Sequence, residues 1–135
     1  IDALALETRS YDKKGNITIY LVERDKDNNG TIDAIIMNTY QFNQRNKLTS
    51  FITEIDLDAD VSVDQTGSLT YELEKNGKYA GYTQTYDLDG DGLYERTNFA
   101  TFELNNQGNI VYWLLDTDVG NDGNADSRQI ITRKF

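Results

Sequence analysis

Apolar and β-branched side chains in this chain come in short runs of about nine residues, rich in Ile, Thr, Tyr, Val and Phe, which is too short and too branched for helices. Two kinds of polar break separate the runs in strict alternation. One is a four-residue turn: Asp12-Lys13-Lys14-Gly15, Asn43-Gln44-Arg45-Asn46, Glu74-Lys75-Asn76-Gly77 and Asn105-Asn106-Gln107-Gly108. Its last position holds glycine or asparagine, the residues that best tolerate a left-handed backbone, so a tight hairpin turn of type I followed by a bulge is expected. The other break is a nine-residue acidic loop. The runs between them predict strands over 16–24, 47–55, 78–86 and 109–117 before each loop. They predict strands over 34–42, 65–73, 96–104 and 127–135 after it.

Both breaks recur every 31 residues. The period defines units at 12–42, 43–73, 74–104 and 105–135, preceded by a half unit at 1–11, within one repeat domain. Ile1-Asp2 aligns with Ile32-Asp33, so the chain is expected to open at the end of a loop and to belong to a longer array. No room remains for crossover helices, and successive strands must run antiparallel. The expected fold is all-β: an antiparallel meander of about nine strands, with the acidic loops along one edge and the tight turns along the other.

Facing is the harder question. Tyr20, Phe51, Tyr82 and Trp113 share one position of the unit, while Ile17, Leu48, Tyr79 and Ile110 share another of opposite parity. By simple alternation both faces carry apolar residues. That suits a sheet covered on both sides, a curved or closed sheet, or stacked hairpins. The aromatic column is also a candidate row of platforms for sugar rings, although cross-strand packing is the better account of it.

The acidic loops carry the candidate chemistry. In Asp87-Leu88-Asp89-Gly90-Asp91-Gly92-Leu93-Tyr94-Glu95, carboxylates stand at positions 1, 3, 5 and 9 and glycine at position 6. Alternate side chains then turn oxygens toward one point, and the glycine allows the positive φ that folds the loop around a hard cation. The Leu93 carbonyl is a further expected ligand. Loop one offers Asp25, Asp27, Asn29 and Asp33 with Gly30. Loop two keeps Asp56, Asp58, Asp60 and Asp64 but puts Val61 where glycine belongs, so it is expected either to bend differently or to leave its metal. Loop four has Asp118, Asp122 and Asp126 with Gly123, but Gly120 replaces the second ligand, a gap for Asp116 or water to fill.

Charge sharpens this picture. The chain holds 23 acids and 13 basic residues, for a formal charge of −10, and 14 of the acids lie in the four loops. Three to four calcium ions are expected, and four would offset 8 of those charges, which points to ions rather than a basic partner. Without a basic stripe, nucleic acid is not an expected partner. Histidine and cysteine are absent, which removes the usual general base, thiolate chemistry and zinc sites. No run is long and apolar enough to insert in a membrane as a helix. No enzyme is expected, since every well-placed carboxylate pair is accounted for as a ligand set.

Position 12 of each loop is Ile36, Gly67, Asn98 or Gln129, so the bidentate glutamate of a helix-loop-helix site is missing. The Asp-x-Asp-x-Asp-Gly-x-x-Asp core instead resembles the strand-embedded loops of the integrin-like FG-GAP and bacterial VCBS propeller repeats. Those repeats are about twice as long, so two units would make one propeller blade. The turn string Tyr11-Asp12-Lys13-Lys14-Gly15-Asn16-Ile17 is similar to the YD-type repeats of large bacterial surface proteins. These resemblances imply a calcium-stabilised spacer, stalk or adhesion scaffold. Sites lacking the last glutamate are expected to bind on the order of 10⁻⁴ to 10⁻³ M. Such sites fill outside the cell, which points to a secreted or cell-surface protein. Its expected partners are neighbouring repeats and a surface glycan or protein.

Overall fold

A computed structural model describes residues 4–134. Asp2 and Phe135, at the ends of the half unit and of the last predicted strand, lie outside them. The described residues form nine strands: β1 (Leu4–Tyr11), β2 (Ile17–Asp25), β3 (Ala34–Phe42), β4 (Leu48–Asp56), β5 (Gln65–Leu73), β6 (Tyr79–Asp87), β7 (Arg96–Leu104), β8 (Ile110–Val119) and β9 (Ser127–Thr132). They make one antiparallel sheet in the order β1 to β9, a continuous meander without helices. Each strand touches only its sequence neighbours, so among the described residues the sheet is open and a single layer thick. Its nine strands are continuous rather than divided into four-stranded propeller blades.

A single layer has little interior. Only Val22, Ala34 and Ala100 are buried apolar residues among those described. The accessible surface is 9207 Å², against about 7,200 Å² for a globular monomer of this mass. Cohesion therefore rests on the ladders, on cross-strand side-chain pairs and on the loops that close each hairpin.

The placing of the two apolar columns on opposite faces, by simple alternation, needs correcting. At each tight turn the register slips by one residue. Ser10 pairs with Ile19 but Tyr11 with Ile17, Gln41 with Ser50 but Phe42 with Leu48, and the same slip follows at Glu72/Leu73 and Glu103/Leu104. Thr18, Thr49, Ala80 and Val111 are thus extra residues in β-bulges. Each bulge inverts parity, so Ile17, Leu48, Tyr79 and Ile110 share a face with Tyr20, Phe51, Tyr82 and Trp113. Ring contacts agree: Tyr71 lies 4.9 Å from Tyr79 and 6.4 Å from Tyr82, centroid to centroid.

That aromatic face is the more continuous of the two. Tyr40 meets Phe51 at 5.9 Å, and Tyr82 meets Phe102 at 6.5 Å. The opposite face is apolar over β1 to β4, where Leu4, Leu6, Ile19 and Ile52 are exposed. Over β5 to β7 it turns hydroxylic, with Ser68 and Thr85 in hydrogen bond at 2.7 Å and Thr97 buried.

At the turns, Gly15, Asn46, Gly77 and Gly108 take φ between 64° and 87°, as glycine or asparagine in that place predicts. The first residue of each turn fastens it: Asp12, Asn43 and Asn105 each accept two backbone N–H groups through one side-chain oxygen. Asp12 is held below the ordinary aspartate value, above all by its bond to the Asn16 side chain.

Candidate metal centres

The acidic loops connect β2 to β3, β4 to β5, β6 to β7 and β8 to β9, all at one edge of the sheet. Each begins on an aspartate that still belongs to the preceding strand. These four residues, Asp25, Asp56, Asp87 and Asp118, are 2 to 7% exposed and are the most deeply placed acids of the molecule.

Burial of a carboxylate demands partners, and the loop backbone supplies them. Asp25 accepts the N–H groups of Asn29 (3.1 Å) and Gly30 (2.7 Å). Asp56 accepts those of Ala59 (2.6 Å) and Val61 (3.0 Å). Asp87 accepts those of Gly90 (2.7 Å) and Gly92 (2.9 Å), and Asp118 those of Asp122 (3.2 Å) and Gly123 (2.9 Å). For Asp25 burial raises the proton affinity, but the N–H groups of Gly30, Asn29 and Asn28 together outweigh it and hold the carboxyl below its usual range.

The ninth residue closes each loop from the other end. Asp33, Asp64 and Asp126 each accept the second residue's N–H at 2.6 Å, and Glu95 accepts that of Leu88. Their own N–H groups bond the carbonyls of Arg24, Ile55, Thr117 and Tyr86 at 2.7 to 2.9 Å. The fifth residues Asn29, Asp60, Asp91 and Asp122 accept the seventh N–H at 2.8 to 2.9 Å, so Leu93 is tied to Asp91. In loop two the Ser62 hydroxyl also bonds Asp60, and together with the Ser62 N–H it holds that carboxyl below the usual range.

Carboxylate oxygens converge in three loops. Asp87, Asp89, Asp91 and Glu95 each present an oxygen within 4.8 Å of all the others, as do Asp25, Asp27 and Asp33, and Asp56, Asp58 and Asp60. These three acidic clusters could each hold a metal ion. Hard oxygen donors in that number suit a hard divalent cation, and Asn29, between the acids of loop one, could add an amide oxygen. Asp64, by contrast, lies outside the loop-two cluster, although it keeps its closing role.

Loop two does not bend differently. Val61 takes φ +80°, alongside Gly30 (+89°), Gly92 (+86°) and Gly123 (+87°) at the same place. Its side chain is 91% exposed, so the branched Cβ has room and the cost is confined to the backbone. A second left-handed position, the fourth, was not foreseen. It holds Asn28 (+58°), Ala59 (+59°), Gly90 (+74°) and Asn121 (+52°). The loops explain part of it by their contact with one another: a Cβ on Gly90 would lie 2.7 Å from the Val63 carbonyl oxygen of loop two. The signal in the sequence was Asn, Gly and Asn in that column.

Loop four keeps the frame without the cluster. Asp118, Asp122 and Asp126 do not join an acidic group among the described residues. Gly120, at the third position, turns to φ +87° and donates its N–H to the Glu95 carbonyl at 2.6 Å. Asp116 does not fill the gap, because it faces Arg128 on β9 in a two-pronged ion pair of 2.6 and 2.7 Å. That bond holds its carboxyl below the usual range.

The aromatic column Tyr20, Phe51, Tyr82 and Trp113 lies away from the clusters, on the aromatic face. Its members are half-buried; Tyr40 lies against Phe51, Tyr71 and Phe102 against Tyr82, and Arg9 covers Tyr20 at 5.0 Å. The sequence matches no protein-family model and no curated protein.

Proposed function

We propose that the chain is a calcium-binding structural module, a spacer, stalk or adhesion scaffold of a secreted or cell-surface protein. The observation that supports it is the placement of three acidic clusters along one edge of a sheet that has almost no core. In so thin a sheet the loops are a large share of what holds neighbouring hairpins together. Without an ion, three or four carboxylates within 4.8 Å repel one another and loosen the loops. With one, attraction replaces repulsion and binding free energy becomes folding free energy.

Calcium is favoured over magnesium on the chemistry of the donors. Three or four carboxylates on a loop are a set of the kind calcium accepts with flexible geometry, whereas magnesium requires a strict octahedron. The weak binding expected without a position-12 glutamate suits an exterior where calcium is abundant.

Thermal unfolding of the full chain in millimolar calcium and in excess chelator tests the reading. With dissociation constants on the order of 10⁻⁴ M, millimolar calcium is about ten times Kd and each site adds about 1.4 kcal/mol. Three such sites raise the midpoint by about ten degrees in a chain of this size. Equal midpoints in the two buffers would defeat it. A rise with magnesium equal to the rise with calcium would defeat the choice of ion.

A further inference from the structure

On the aromatic face, β4, β5 and β6 leave an open cavity of about 360 Å³ directly beside loop three. It exists because Gly67 stands in the column that carries Ile36, Asn98 and Gln129 in the other units. The register places Thr53, Gly67 and Tyr86 side by side, with Phe51 and Ile55 on one flank and Gln84 on the other. Gly67 is thus the floor of a notch whose walls are aromatic at two opposite corners, Phe51 and Tyr86.

The polar groups of the notch are neutral and have bonding capacity to spare. Gln84 accepts the Asn98 amide through its oxygen at 3.3 Å, which leaves its own N–H groups to donate. Gln65, half-buried at the loop end, has no side-chain hydrogen-bond partner among the described residues. Tyr86 is held in place from the far side by the Arg96 guanidinium, 4.7 Å from the ring centroid, so its other side is available to the notch. The one charged residue at the rim, Asp87, is committed to the N–H groups of Gly90 and Gly92.

We propose that this notch binds one pyranose ring of a neutral glycan. A sugar ring has an apolar C–H face that stacks on an aromatic ring and a rim of hydroxyls that pair with amides, and the notch offers both. Strands β4 and β6 are about 9.6 Å apart, two strand spacings. A single ring in van der Waals contact on both sides needs about 7 to 8 Å. An anionic ligand is disfavoured by the acidic clusters of loops two and three. The site is independent of the proposed calcium role and uses only Phe51 of the aromatic column.

The test is saturation-transfer NMR and titration of the full chain with cellotetraose, maltotetraose, mannotetraose and chitotetraose. The expected result is binding of at least one of them. Gly67→Ile should weaken that binding at least tenfold without lowering the melting temperature. It supplies the side chain that the first unit carries, and a Cβ at Gly67 meets nothing closer than Tyr86 Cδ1 at 3.9 Å. Gln84→Leu, which keeps the shape but removes the donors, should cause a similar loss and holds the test if Gly67→Ile misfolds. Trp113→Ala, remote from the notch, should leave binding unchanged. No binding across the panel, binding indifferent to both notch variants, or loss on Trp113→Ala alone would each overturn the proposal. Melting and glycan binding are separate readouts, so equal midpoints in calcium and chelator with retained glycan binding would break the calcium reading and not this one.

Discussion

Loops three and four are fastened alike at both ends and differ in chemistry. In both, a buried aspartate at the first position accepts the N–H of the sixth residue, and an acid at the ninth accepts the N–H of the second. Yet four carboxylates converge in loop three, while those of loop four do not. The first and ninth acids are therefore fasteners that shape the loop with or without an ion. The third position separates the two: every cluster contains an aspartate there, Asp27, Asp58 or Asp89, and loop four has Gly120.

The strongest way to break this comparison is to remove a fastener from each loop. Asp87→Ala and Asp118→Ala should each cost about 2 kcal/mol in urea unfolding with chelator present, since two part-buried N–H groups lose a charged acceptor. No cost for Asp87→Ala in chelator, with a cost appearing only in calcium, would show that this aspartate serves the ion alone. Next is conversion of loop four. Gly120→Asp should lower stability by about 1 kcal/mol in chelator, from the left-handed backbone. In calcium it should recover that loss and add one bound ion by calorimetric titration; an unchanged ion count would mean that the third position is not decisive.

Loop two tests the frame by itself. Val61→Gly should stabilise the chain by about 1 kcal/mol in chelator, because it relieves a β-branched residue at φ +80° whose side chain packs on nothing. The smallest effect is expected beside loop four, where Arg128→Gln releases Asp116. The Asp116 carboxyl is held below its ordinary value of 3.8, so the pair stabilises the fold above that pH and stops doing so as pH falls through the lowered value. Wild type and variant should thus differ slightly at pH 6 and converge well below 3.8 in paired denaturation curves.

Much of the fold was legible in the chain. The strands after the first three acidic loops, Ala34–Phe42, Gln65–Leu73 and Arg96–Leu104, begin and end as the pattern predicts, whereas β9 ends at Thr132, before Arg133 and Lys134 of the expected 127–135. The strands before each loop run one residue or more further, because the first aspartate remains in the ladder, a fact that its polarity conceals. Facing was not legible, since Thr18 and its counterparts look like ordinary strand residues and only the pairing shows them to be extra. Within the site, the acids of loop three were plain from spacing. The failure of loop four to gather its acids was half visible in Gly120, but the capture of Asp116 by Arg128 depends on β9 lying opposite β8. Gly90 illustrates the same limit: its need to be glycine comes from the backbone of the neighbouring loop, 27 residues away at Val63.

Because each strand touches only the strands before and after it, a pull on the two termini meets no central obstacle. Force applied there would peel the sheet from its ends, one hairpin at a time, and each 31-residue unit would release about 100 Å of chain as it opens. Ions held at the loop edge would set the force of each step. Such a chain lengthens by increments under load and shortens again by local refolding, the behaviour of an extensible tether.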